Sequence, residues 1–314
     1  MDQNESVVTE NLTVYVHKID WRKRLVLFWL ALALLSCGGS DDPDPAVDNG
    51  PAFSDRISKG AIQNDFLVEA SGLAVSRNDN SHLWSHNDKD DQPFLFLLNN
   101  DGSDIGRFYL KGAVNRDWED LAIGPGPDAN ETYLYIGDIG NNDLVYDFIR
   151  IYRLVEPDIL EDTLKNIETI RLNYPDGIRD AETLLLDPLT KDIYVITKRD
   201  TNSRIYRAAY PQTDEQVMTF EGALPYNTIV SGDISIDGLE VLLKSYFRVF
   251  YWRRDIGTSL VDLFQQPADT LPYSLEPQGE AMAWHPDGSG YYTLSEEKET
   301  GVEAVLYFYE RNDP

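Results

Sequence analysis

Glu119, Glu182 and Glu280 each stand at the front edge of a short apolar run. The runs read Glu119-Asp120-Leu121-Ala122-Ile123, Glu182-Thr183-Leu184-Leu185-Leu186 and Glu280-Ala281-Met282-Ala283-Trp284. A glutamate that recurs at one register of a repeated strand brings several carboxylates to one place. Such groups repel unless a cation or a basic side chain lies among them. Oxygen-only donors suit Ca²⁺, or Mg²⁺ with waters, and Asp138 at the end of a following strand would be a fourth ligand. Lys198, Arg150 and Arg204 would hold the anionic part of a substrate, with Asn87, Asp120 and Asp233 lining the same face. His86, Lys198 and Glu296 are the expected catalytic groups, His86 or Glu296 moving the proton.

These residues need elements that make them converge, and the sequence supplies a repeat. Five segments align on Leu73, Leu121, Leu184, Ile234 and Met282, so the steps are 48, 63, 50 and 48 residues. Periods near 40 to 50 with four short strands each describe the blades of a propeller. In each copy an inner apolar strand is followed by Leu83-Trp84-Ser85, Leu134-Tyr135-Ile136, Ile193-Tyr194-Val195, Val241-Leu242-Leu243 or Tyr291-Tyr292-Thr293. A third strand follows, as in Arg150-Ile151-Tyr152-Arg153 and Arg204-Ile205-Tyr206-Arg207. Fourth strands read best at 106–110, 169–173 and 217–222. The first strand runs away from one face of the ring and the second returns to it. First-strand starts, second-strand ends and third-strand starts therefore open together around the axis. The last copy runs out of chain near Asn312, and the stretch from Ile57 to Phe66 is free to supply its missing strand. The expected fold is all-β, a five-bladed propeller with six blades as the alternative, closed by an N-terminal strand. The 63-residue step implies insertions at 139–148 and 155–165.

Composition narrows the chemistry. The chain has 314 residues, 42% of them hydrophobic, which is enough for one large β-domain. Its 18 Tyr and 12 Phe favour strands. A net charge of −27 repels phosphate backbones and excludes nucleic acid as a partner. The single Cys, at position 37, permits no intrachain disulfide and no Cys-based zinc site. The four His, at 17, 82, 86 and 285, form no pair at ligand spacing, so any metal should be a hard cation bound by oxygen.

The lone Cys has its own context. Lys18 to Arg24 is basic, and Leu25 to Leu35 is an apolar run of 11 residues, too short to span a bilayer comfortably. Leu34-Leu35-Ser36-Cys37 resembles a bacterial lipobox, which implies a signal peptide over 1–36 and a lipid-modified Cys37. Gly38-Gly39-Ser40-Asp41-Asp42-Pro43 begins an acidic tether over 37–55, and the propeller would occupy 56–314. The run resembles tethers of surface-exported lipoproteins. The expectation is a monomer held to the cell envelope, at the outer membrane, by its acyl chains.

Other motifs are weaker. Ile136-Gly137-Asp138-Ile139-Gly140-Asn141-Asn142-Asp143 is Gly- and Asp-rich but lacks the distal Glu of an EF-hand loop. Tyr174-Pro175-Asp176-Gly177 reads as a turn. No Gly-x-Ser-x-Gly elbow, P-loop or dinucleotide fingerprint occurs. Glu69-Ala70-Ser71-Gly72-Leu73, Trp118-Glu119-Asp120-Leu121-Ala122 and Gly137-Asp138-Ile139-Gly140-Asn141 resemble a group of bacterial secreted or lipoprotein β-propellers without an assigned activity. More distantly, the strand starts resemble esterase-like phytase and gluconolactonase-type propellers. That resemblance implies Ca²⁺ or another divalent ion at the channel mouth, held by Glu, Asp and Asn. The clustered acidic runs of propeller phytases have no clear counterpart here. Two functions are expected: a divalent-metal-dependent hydrolase of a phosphoester, ester or lactone, or a non-catalytic propeller binding a glycan, peptide or partner protein. Exposed aromatics at Trp84, Trp118 or Tyr246 would favour the second.

Overall fold

The computed structural model describes residues 51–312, apart from 90, 159, 160, 299 and 300. The expected signal peptide, Cys37 and the tether up to residue 50 lie outside the described residues. Among the described residues, no helix is long and apolar enough to cross a membrane.

After β1 (Ile57–Ala61), the first blade is β2 (Ala70–Val75), β3 (His82–Asn87), β4 (Phe94–Asn99) and β5 (Asp104–Leu110). The second is β6 (Trp118–Pro125), β7 (Thr132–Asp138), β8 (Ile149–Val155) and, beyond the two-residue strand β9 (Thr163–Leu164), β10 (Glu168–Asn173). The third is β11 (Ala181–Leu186), β12 (Ile193–Thr197), β13 (Arg204–Ala208) and, beyond β14 (Glu215–Val217), β15 (Thr219–Ala223). The fourth is β16 (Ile229–Ile234), β17 (Glu240–Ser245), β18 (Val249–Arg253) and, after the short helix α1 (Leu260–Leu263), β19 (Asp269–Leu271). The fifth is β20 (Ala281–Trp284), β21 (Gly290–Leu294) and β22 (Val305–Glu310), completed by β1. The five blades form a five-bladed propeller, and the inner strands pack side by side in the closed order β2, β6, β11, β16, β20 and back to β2.

The inner strands are almost wholly buried, and mostly apolar beyond their first residues, because both of their faces are covered. Leu184 packs toward the second blade with Ala122 and Tyr135, while its neighbour Leu185 packs toward the fourth with Ile234 and Phe250. Five hydrophobic cores result, one between each pair of adjacent blades. The inserted segments strap blades together. β9 adds in parallel to β5 of the first blade, and β14 adds in parallel to β10 of the second. Val217 therefore belongs to the second blade's edge, and the fourth strand of the third blade starts at Thr219 rather than at 217.

Closure depends on β1 pairing antiparallel with β22, with Ile57 opposite Phe308 and Ala61 opposite Val305. Gly60 sits at a register shift with φ of +149°, and an added Cβ would lie 2.0 Å from the Asp101 carbonyl oxygen. Backbone cannot yield there as a flexible side chain would. Gly60→Val is expected to cost about 3 kcal/mol, combining overpacking with a disfavoured φ. Urea unfolding midpoints measure it; a variant within error of the parent would show that the closing strand tolerates displacement.

Candidate functional site

The three glutamates do converge, and a local irregularity helps them to do so. Pairing between β6 and β7 skips a residue: Trp118 faces Asp138 and Asp120 faces Gly137, leaving Glu119 as the extra residue of a β-bulge. Glu182 is the extra residue of the same kind between Ala181 and Thr183. Bulges bend a strand and re-aim one side chain, here at the end of the strand that opens on the channel. Ser71 and Val230 are the bulged residues of the first and fourth blades. Blade four therefore aligns two residues earlier than its apolar pattern suggests. Gly232 rather than Ile234 is the counterpart of Leu121, and Asp120 corresponds to Ser231, not to Asp233.

A polar cavity of about 310 Å³ lies at this end of the channel, lined among others by Asp88, Glu119, Glu182, Lys198, Glu280 and Glu296. Glu119, Glu182 and Glu280 each offer an oxygen such that the three atoms lie within 4.8 Å of one another. Asp88, Asp117 and Glu119 form a second such group. Lys198 Nζ donates to Glu182 Oε1 at 2.5 Å and to Glu280 Oε1 at 3.4 Å, and the Tyr246 hydroxyl donates to Glu280 Oε1. Arg199, on the lip, binds Asp180 through Nε at 2.5 Å and Asn142 through Nη2. Three oxygens buried in the cluster, Glu182 Oε2, Asp117 Oδ1 and Asp88 Oδ1, have no hydrogen-bond partner among the described residues.

Electrostatics follow from burial. Burial, then the neighbouring Glu182 and Asp88, push Glu119 well above the usual carboxylate range. Burial and Glu280 raise Glu182 to about 8 despite Lys198, and burial and Glu280 raise Glu296 to about 9. Burial and Asp117 raise Asp88 to about 7, and burial raises Asp117 to about 6. Lys198 goes the other way. Burial pulls its ammonium down, but Glu182 and Glu280 outweigh that and hold it well above its ordinary value. It is a fixed positive charge, not a base at neutral pH.

Several expected site residues lie elsewhere. Asp138 is fully buried, but its carboxylate takes Arg116 Nε at 2.7 Å, Arg150 Nη1 at 3.3 Å and the backbone N–H of Arg116 and Asp117. It closes its own blade and does not line the cavity, and Arg150 is spent on that ion pair. Arg204 pairs with Asp176 and Asp200 on the outer part of the third blade. Asn87 holds a turn, accepting from the N–H of Val68 and Glu69 and donating to Phe66 O and Asp91. Asp120 and Asp233 accept backbone N–H groups of neighbouring blades, Leu184 and Trp284. His86 is fully buried, edge-on to Trp118 with Nδ1 on Asn87 O, and burial lowers it to about 4. It is absent from the cavity wall and cannot serve as its base. Trp84 and Trp118 are buried, so of the three named aromatics Tyr246 alone reaches the cavity.

The cavity also contains residues outside the predicted set: Asp88, Lys89, Asn142, Arg199, Tyr246 and Gln278. A signal for some of them was present. The position after the second strand, or two residues after it in the fifth blade, reads Asp88, Ile139, Lys198, Tyr246 and Glu296, and all but Ile139 line the cavity.

A structural role for Asp138 has a measurable consequence. Asp138→Asn keeps an oxygen for the two backbone donors but turns an amide toward two guanidinium groups. Breaking one partner of a buried ion pair costs about 3 kcal/mol. The expected result is that loss in urea unfolding; a variant as stable as the parent would mean that the pairs with Arg116 and Arg150 contribute little.

No family model matches the chain, and no curated protein matches its sequence. Similar solved structures include a nidogen/laminin complex, at 10% identity and a TM-score of 0.43, covering 73% of each chain. The Dos1 propeller matches at 12% identity and a TM-score of 0.37, covering 78% of this chain and 61% of that one. A luciferin-regenerating enzyme matches at 12% identity and a TM-score of 0.46, covering 84% and 96%. At these identities the likeness concerns shape, and the blade count rests on this chain's own sheets.

Proposed function

We propose that the chain is a divalent-cation-dependent hydrolase of small anionic phosphoesters, esters or lactones, using Ca²⁺ or Mg²⁺. The observation that carries the proposal is the meeting of Glu119, Glu182 and Glu280, from three blades, with their oxygens within 4.8 Å. An ion with ligands at about 2.3–2.6 Å fits donors spaced in that way. The orphaned Glu182 Oε2 supports the same fit, because a buried acceptor without a partner is costly. When bound, such an ion polarises the scissile group and makes a water nucleophilic near neutral pH.

The chain's own groups supply the rest. Lys198 fixes the Glu182 and Glu280 carboxylates and adds positive charge beside the reacting centre. Lys89 and Arg199 stand at the lip, where an anionic substrate group would meet them first. Glu296 carries its proton at neutral pH and is the acid that can pass one to a leaving oxygen. The proposal includes a lipid anchor at Cys37, which labelled-fatty-acid incorporation into the parent and its absence in Cys37→Ser would support.

One feature favours the non-catalytic reading. Phe247, 67% exposed, stands beside Tyr246, and a groove of about 390 Å³ runs past it along Tyr226, Arg248 and Phe250. A glycan or peptide chain could rest there. Turnover of phosphomonoester, aryl-ester and lactone substrates, each with Ca²⁺, with Mg²⁺ and with EDTA, separates the two. Cation-dependent turnover abolished by Glu280→Gln supports the hydrolase. Cation binding without turnover of any class would overturn it in favour of the binding module.

A further inference from the structure

We infer that the cavity binds two divalent cations that share Glu119, a second ion being held by Asp88, Asp117 and Glu119. This rests on the reading of Glu119, Glu182 and Glu280 as the first ion's site, and deepens it. Two sets of three carboxylates each bring oxygens within 4.8 Å, and Glu119 is the member common to both. A carboxylate has two oxygens and can bridge ions about 3.5–4 Å apart, the spacing of two-metal hydrolytic sites.

Independent features point to a ligand at the second group. Asp117 is 4% exposed and its Oδ1 has no hydrogen-bond partner among the described residues. Asp88 Oδ1 is likewise buried without one. Asp117 is aimed there by its backbone: Asp138 accepts its N–H, and Gly140 donates to its carbonyl oxygen at 3.1 Å. Gly140 also explains part of the Gly137–Asn141 motif that forms no EF-hand. An added Cβ at Gly140 would lie 2.1 Å from Glu119 Oε1 and 2.5 Å from Asp117 Cγ. Its missing side chain is what lets the two carboxylates lie together.

Charge balance agrees. Asp88, Asp117, Glu119, Glu182, Glu280 and Glu296 contribute six carboxyl groups to the cavity and its wall. With Glu296 protonated and the other five ionised, Lys198 and one divalent ion leave a double negative charge in a partly buried space. A second divalent ion balances it.

The test is the number of ions bound by the full chain. EDTA-stripped protein is dialysed against Ca²⁺, and separately Mn²⁺, and bound metal is counted by elemental analysis. Two ions per chain are expected, with Mn²⁺ giving the electron-spin spectrum of a coupled pair. Asp117→Asn and Asp88→Asn should each reduce the count to one and leave an uncoupled Mn²⁺ signal. Glu182→Gln should also leave one, whereas Glu119→Gln should weaken both. If Asp117→Asn fails to fold, Asp88→Asn, nearer the solvent, carries the test. One ion in the parent, kept by both Asp variants and lost in Glu182→Gln, overturns the second site and leaves the proposed function standing. No ion in the parent overturns both.

Discussion

The metal-free protein loses about 3 kcal/mol of stability as the pH rises from 6.5 to 8, the reverse of the trend most proteins show on leaving acid. The sign follows from carboxyl groups whose folded-state pKa lies above the unfolded value. Such a group contributes its full stability below about pH 4, and that contribution is lost as pH climbs through its folded pKa. Asp117 at about 6, Asp88 at about 7, Glu182 at about 8 and Glu296 at about 9 span that range. Each proton retained only by the folded state is worth about 1.4 kcal/mol per pH unit. Two such protons over this interval come to about 4 kcal/mol, and relaxation of a coupled cluster trims it. The interval avoids opposing groups. His86, lowered to about 4, favours the folded state more as pH rises only up to about 6.5, its unfolded value. Lys244, fully buried and lowered to about 8, adds stability with rising pH only above that. Saturating Ca²⁺ should flatten or invert the slope, because the cation binds the ionised carboxylates and its contribution therefore grows with pH. Urea unfolding in EDTA at several pH values measures this. A metal-free stability that stays level or rises across the interval would mean that the six carboxyl groups are not held together as described.

The architecture was legible because it is written in patterns that repeat. Strand positions, five copies and the closing N-terminal strand follow from apolar runs at a near-constant step, and from a last copy one strand short. The end of the channel at which the polar cavity opens follows from strand direction alone. What failed was the step from column to role. Glu119 and Asp138 are both acids at the mouth end of second-blade strands, yet Glu119 is turned into the cavity by a bulge while Asp138 is turned onto Arg116 and Arg150. Bulges change register by one residue and leave little trace in composition. The same cause displaced the fourth blade, where Ile229 and Val230 extend the strand and the bulge moves its register. Arg150 and Arg204 were drawn to the site by their recurrence, but Arg150 is held by Asp138, its cross-strand partner on β7, and Arg204 by Asp176 and Asp200 in the turns before β11 and β13; a period does not show which acid a basic group will meet. Asp88 and Tyr246 stand in a column that bears five different side chains, so chemistry gives no reason to group them.

Asp120→Ala should be among the most damaging single changes in the ring, costing about 4 kcal/mol, although Asp120 does not itself line the cavity. The residue is fully buried. Its Oδ1 accepts the Leu121 N–H at 2.9 Å and the Ser231 hydroxyl at 3.3 Å, and its Oδ2 accepts the Leu184 N–H at 2.9 Å. One carboxyl thus joins the inner strands of the second, third and fourth blades. Removing it leaves two buried backbone donors and a hydroxyl without an acceptor, each worth about 1–3 kcal/mol. Asp120→Asn is the sharper probe because volume is kept. An amide has one oxygen, so its NH₂ must face either the Leu121 or the Leu184 N–H, donor against donor, and about 2–3 kcal/mol should still be lost. Asp233 does similar work between the fourth and fifth blades, taking the Ile234 and Trp284 N–H groups at 2.7 and 2.8 Å. Apolar cores between blades are non-directional and would allow adjacent blades to slide; these carboxyls fix the height of one inner strand against the next. That height decides whether Glu119, Glu182 and Glu280 end level with one another. Asp120→Ala should therefore weaken Ca²⁺ binding as well as stability, and restoring stability with an osmolyte should not restore the binding. If the Ala variant unfolds within about 1 kcal/mol of the parent and binds Ca²⁺ unchanged, packing alone sets the register and the carboxyls merely follow it.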